Sequence, residues 1–138
     1  MPKLNYGQAF GKIGIPTLGG RGTLWCGIDP EGVLVLMAHK NYFRKFRTEQ
    51  GQVLRYIDLG SPEPSNSHPV QASLNLLEEY FQPGRHIILL EAEMKTDGGP
   101  QAAAAFDHAT GKAFNARFTS FHRPSGRIEC DIESRFDI

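Results

Sequence analysis

In LVLMAHKNYFRKFR, residues 34–47, the chain changes character halfway. Its first half is apolar enough to lie inside a sheet. Its second half sets Lys40, Arg44, Lys45 and Arg47 around Tyr42, Phe43 and Phe46. The three rings do not alternate as the side chains of a plain strand do, but they gather on one side of a helical turn. One reading makes the rings inward anchors with the cations standing in water. The other makes segment 40–55, which also holds Arg55, an anion- or nucleic-acid-binding surface using Lys40, Tyr42, Phe43, Arg44, Lys45 and Arg47. Binding a single strand requires exposed rings for base stacking. Lys plus Arg and Asp plus Glu both number 15, giving no net charge, and this balance argues for the anchor.

The strand that opens this stretch is half of a hairpin. In TLWCGIDPEGVLVLMAH, Asp29-Pro30-Glu31-Gly32 is a turn whose glycine can supply a left-handed residue. That register faces Ile28 with Leu34, Cys26 with Leu36 and Trp25 with Met37. Both faces are then apolar, so the pair is covered on both sides or lies between subunits. Together with the zero net charge, this leads to the expectation of a homodimer.

Downstream, Pro69 is suited to the first position of a helix, where its φ is preset. Val70, Leu74, Leu77 and Phe81 form one stripe, widened by Leu76 and Tyr80. Pro83 and Gly84 end the helix. QVLRYIDL (52–59) and RHIILLEAEM (85–94) flank it as strands. AAAAFDHATGKAF reads as a strand turning back through a tight loop that ends in Gly111. At the C-terminus, KAFNARFTSF and RIECDIESRFDI alternate as strands with one apolar face each. A three-residue loop of Pro124, Ser125 and Gly126 would align Phe118 with Ile132, Phe114 with Phe136, and Arg117 with Glu133. A loop one residue longer would set apolar side chains against charged ones, because a one-residue slip flips every side chain.

These elements predict a single α+β domain. Six to seven strands would form a twisted, mostly antiparallel sheet curling around one long helix, with residues 1–22 a loop-rich start. The order of elements is similar to that of hotdog-type domains, a likeness of layout alone, and function does not follow from layout. No apolar run is long enough for a signal peptide or a membrane span, and Cys26 and Cys130 lack CxxC spacing. A cytoplasmic protein with buried thiols is the expectation.

Chemistry is thinly marked. The histidines at 39, 68, 86, 108 and 122 lack local metal-ligand spacing, so no metal is expected. GxGxxG, GxxxxGK[ST] and GxSxG are all absent, and no cofactor is expected. The glycine-rich LGGRG (18–22) precedes no expected helix, so it reads as a loop rather than a phosphate cradle. Glu91 and Glu93 fall on one side of their strand and could share a proton or hold a cation. His68 would stand at a helix N-terminus, where a bound anion would leave it free to move a proton. The small side chains at 102–105 leave room for something to approach. The expected site is an apolar pocket between helix and sheet, lined by Trp25, Met37, Tyr56, Tyr80, Leu89 and Phe106. His39, His68, Glu91 and Glu93 would be its polar groups and a small apolar or anionic molecule its ligand. No reaction is assigned by these residues.

Overall fold

The computed structural model describes residues 4–15, 26–59, 68–94 and 106–138. Trp25, the glycine-rich 18–22, the small-residue run 102–105 and the side chains of His68 and Phe106 lie outside the described residues. The described elements are α1 (Tyr6–Lys12), β1 (Cys26–Ile28), β2 (Leu34–His39), a 3₁₀ turn (Lys40–Tyr42), β3 (Phe43–Thr48), β4 (Gly51–Asp58), α2 (His68–Tyr80), β5 (His86–Met94), β6 (Phe106–His122) and β7 (Arg127–Asp137). They make one seven-stranded sheet in the order β1-β2-β5-β6-β7-β4-β3. β2 and β5 run parallel, and the other neighbours are antiparallel.

The order itself dictates the shape. β2 is second in the sheet and β3 seventh, yet only the Lys40–Tyr42 turn joins them. Five strand spacings on a flat sheet would put them ~24 Å apart. The four residue steps from His39 to Phe43 reach at most ~14 Å. The sheet must therefore curl until its far edge comes back toward β2. Two contacts across the concave face confirm it. The hydroxyl of Tyr56 on β4 accepts the backbone N–H of His39 on β2 at 3.2 Å, and the rings of Phe43 and Phe114 lie 4.6 Å apart.

This corrects the expected architecture. The mixed sheet is not wrapped around a long helix; it closes toward itself, and the helix that was expected to organise it is the 13-residue α2 at one side. The physical reason lies in the strands. Their apolar positions fill the concavity with one another, so α2 covers only part of it. Ser73 of α2 accepts the Cys26 thiol through its backbone carbonyl. Tyr80, with Phe81 just beyond the helix, packs on Phe118. The convex face of β1 and β2 is covered from the N-terminus: a Cβ on Gly27 would meet Ile15 at 3.0 Å, and Ala9 and Phe10 of α1 are buried. Asn5 and Gln8 cap α1 reciprocally, so the stretch 1–22 is not loop throughout.

Turn chemistry fares better. The hairpin β1–β2 has the expected register, Ile28 facing Leu34 and Cys26 facing Leu36, and Gly32 takes a φ of +85°. Asp29 secures the turn, its Oδ1 accepting the N–H groups of Glu31 and Val33. β2 is buried along its whole length, whereas Ile28 of β1 is 38% exposed.

Two other readings change. Gly111 does not close a loop: β6 is one strand of 17 residues, and Gly111, at φ +91°, sits in an irregularity where β6 gains residues against β5. A left-handed glycine signals a bulge as readily as a turn. The C-terminal loop is the longer one, with His122 facing Arg127. Left unbroken, that register would set Phe118 against Asp131. A bulge at Thr119 makes a one-residue slip that sets Phe118 opposite Cys130 rather than the expected Ile132. A second bulge, at Glu133 on β7, shifts the register again. Arg117 and Glu133 still meet, Nε to Oε1 at 3.0 Å, though both are too exposed for the pair to stabilise much.

Two glycines separate backbone strain from backbone freedom. Gly11→Ala in α1 meets nothing within 4 Å and should stabilise by about 0.5–1 kcal/mol. Gly111→Ala should cost about 1–2 kcal/mol, because an L side chain disfavours the left-handed region. Urea unfolding of the two variants checks the opposite signs.

Candidate functional site

The second bulge has a further effect. A bulge bends its strand and ends pairing, and β7 pairs with β4 only as far as Asp131, opposite Arg55. Both strands continue beyond that point. The same register would have paired Leu54 with Ile132 and Gly51 with Arg135, but these residues do not pair. A groove of about 470 Å³ lies here, between Phe43 and Leu54 on the β3–β4 hairpin and residues 132–135 on β7. Phe114 lines its floor, and Glu91 and Lys112 border it.

Cross-strand partners share a face, so the side of the sheet can be read from register. Phe118, Cys130, Tyr56 and Phe43 follow one another across β6, β7, β4 and β3. Phe118 packs on the segment that ends α2. The groove and α2 therefore occupy the same concave face. Among the described residues, neither α2 nor the segment after it lines the groove: the helix covers one end of the concavity and the groove opens at the other.

The charges around the groove are unevenly satisfied. The Glu133 carboxylate is held by Arg117, and Glu91 Oε1 accepts the Thr110 hydroxyl at 2.9 Å. Lys112 and Arg135 have no acidic partner within 4 Å among the described residues, although Asp137 stands opposite Lys112 in the register. Lys45, facing Leu54, and Arg47, facing Gln52, add two exposed cations to the hairpin lip. An apolar floor thus meets a rim whose unengaged charges are mainly positive.

Of the residues expected at a site, Glu91 lies in the groove. Glu93 shares its side of β5 but is ion-paired with Lys40, whose pKa is raised by the hydrogen bond and charge of that carboxylate. Tyr56 and Leu89 are buried beneath the concave face, and Met37 is buried toward the convex one. His39 is also buried; its Nδ1 accepts the Asn41 N–H at 3.1 Å, and its ring lies 4.5 Å from Tyr42. Tyr80 is part of the α2 contact, its hydroxyl donating to the His86 carbonyl and its ring stacked under the Arg85 guanidinium. Trp25 and the side chains of His68 and Phe106 fall outside the description. Residues 132–135, Leu54, Lys112 and Phe114 carried no sequence signal, because the groove arises from two strands diverging.

The opening stretch resolves into three parts. Tyr42 and Phe43 are half-buried against the core. Phe46, 37% exposed, lies under the Arg55 guanidinium at 5.2 Å. Arg44, Lys45 and Arg47 stand in water along β3, one of the two edge strands of the sheet. Charged side chains there discourage pairing with another chain, which gives the basic run a structural role.

No protein-family model, curated protein or solved structure matches the chain. Among the described residues, no three His, Cys, Asp or Glu side chains converge on a metal position, and no helix is long and apolar enough to cross a membrane.

Cys26 and Cys130 are free, buried thiols. Burial pushes Cys26 up to about 12 and raises Cys130 further. Burial likewise raises the Tyr56 hydroxyl well above its ordinary value. All three stay protonated in the fold at a pH where the unfolded chain ionises. Their stabilising contribution is thus fully present below the unfolded values and is lost as pH rises toward the folded ones. Unfolding free energy should be level near neutrality and fall above roughly pH 9, by up to ~1.4 kcal/mol per pH unit for each thiol. Cys130→Ala should show a shallower decline in denaturant titrations between pH 8 and 11; an unchanged slope would contradict this.

Proposed function

We propose that this protein is a binding domain for an apolar ligand that carries negative charge. The observation that carries the reading is the open groove on the concave face. Phe43, Leu54, Phe114 and Ile132 offer apolar contact there, while Lys112 and Arg135 have no acidic partner within 4 Å among the described residues. Its volume is within the range of small-molecule sites. The apolar body would lie against the rings and aliphatic side chains, and the anionic group would turn toward the two cations. Half-buried Tyr42 and Phe43 favour this over base stacking on the basic segment. Free thiols at Cys26 and Cys130 fit the reducing cytoplasm we propose as its compartment.

The dye 1-anilinonaphthalene-8-sulfonate, an aromatic anion, serves as the probe. Its fluorescence should rise saturably with the parent protein. Leu54→Glu should abolish the rise, and Lys112→Gln with Arg135→Gln should weaken binding by about tenfold, roughly the loss of one or two charge-assisted contacts. Melting temperatures close to the parent's would show that the fold survives. No saturable rise, or unchanged binding in both variants, would overturn the reading.

A further inference from the structure

We infer that the ligand of this groove is an extended, acidic and partly apolar peptide segment, added as a strand between β4 and β7. The inference rests on the groove being a binding site and names what it binds. Its basis is the backbone at the groove's two walls. Beyond Asp131, β7 is paired with β6 alone, and from Leu54 toward Gly51, β4 is paired with β3 alone. Residues 51–54 and 132–135 therefore present two facing strand edges whose inward peptide groups have no strand partner among the described residues. An open edge is a template for another strand, and peptide recognition by strand addition takes its affinity from main-chain hydrogen bonds. Four residues of strand span ~13 Å, so the opening matches a short segment.

The two edges are not equally accessible to every sequence. The outer edge of the sheet, β3, carries Arg44, Lys45 and Arg47. On the concave side of the split, Leu54 and Ile132 lie next to the last β4–β7 pair, with Lys45 facing Leu54; Phe114 and Arg135 face each other beyond them, and Arg47 and Lys112 lie farther out. An incoming strand meets apolar side chains and positive charge side by side along the split, with positive charge alone at its far end. Glu133 is occupied by Arg117 and Glu91 by Thr110, which reduces their opposition to an acidic guest. The bulge at Glu133 that bends β7 away from β4 keeps the split open.

The test uses the full chain with end-capped, dye-labelled hexapeptides followed by fluorescence anisotropy. The parent peptide has three valines and three glutamates, in both orders, because a strand inserted between antiparallel neighbours can run either way. One control replaces glutamate with lysine. Two others are N-methylated at alternate residues, each removing the amide donors that face one edge. The acidic peptide should bind saturably, the lysine version about tenfold more weakly or worse, and at least one methylated version should lose about tenfold. Amides within 51–54 or 132–137 should gain hydrogen-exchange protection. No binding of the acidic peptide, binding of both methylated versions as tight as that of the unmethylated peptide, or tighter binding of a thymidine hexanucleotide overturns strand addition. If the naphthalene dye still binds in that case, only the peptide assignment falls; if the dye fails too, the groove is not a binding site.

Discussion

The Lys40–Tyr42 turn is the constraint on which the rest of this structure depends. A strand in the second place of the sheet is tied by three residues to a strand in the seventh. That tether forces the sheet to curl, and the curl creates a concave face small enough for its own side chains to fill. The Tyr56 hydroxyl reaching the His39 amide and the contact of Phe43 with Phe114 are consequences of closure as much as causes of it. The Lys40 ion pair with Glu93 ties the turn to β5, although exposure limits its contribution.

Curling also explains how a chain with so much apolar strand keeps that surface dry. α2 covers one end of the concave face and the N-terminal segment covers the convex face of β1 and β2. The half of the convex face formed by β4, β6 and β7 is instead laced with polar pairs. Arg55 meets Asp131, Arg127 meets Glu129, and His86, Asn115 and Ser134 form a hydrogen-bonded row. Such a face needs no cover. What remains is the mouth of the concavity, where the β3–β4 hairpin parts from β7 and apolar side chains meet water under a partly cationic rim.

Much of this was legible locally and little of it at long range. Asp29 and Gly32 mark their hairpin because turn geometry depends on neighbours in sequence, and the spacing of Leu74, Leu77 and Tyr80 marks α2 for the same reason. The alternation of KAFNARFTSF and RIECDIESRFDI identifies two half-buried strands but not their register, since the bulges at Thr119 and Glu133 reset pairing without leaving a compositional trace. Gly111 suits a turn and a bulge alike, because both use a left-handed glycine. The strand order could not be read at all: nothing in Lys40, Asn41 or Tyr42 announces that the chain crosses from one side of the sheet to its far edge. The site suffered most. Glu91 was within reach of sequence reasoning, but Leu54 and Ile132 look like ordinary strand residues until the strands carrying them separate.

The sheet closes toward itself, bringing β3 over β6. The most direct measurement is the nuclear Overhauser contact between the ring protons of Phe43 and Phe114. With ring centroids 4.6 Å apart, clear cross-peaks between the two rings are predicted, alongside those of the β3–β4 hairpin. Hairpin cross-peaks without any between Phe43 and Phe114 would show the hairpin standing away from the sheet, and would contradict both the closure and the groove built upon it.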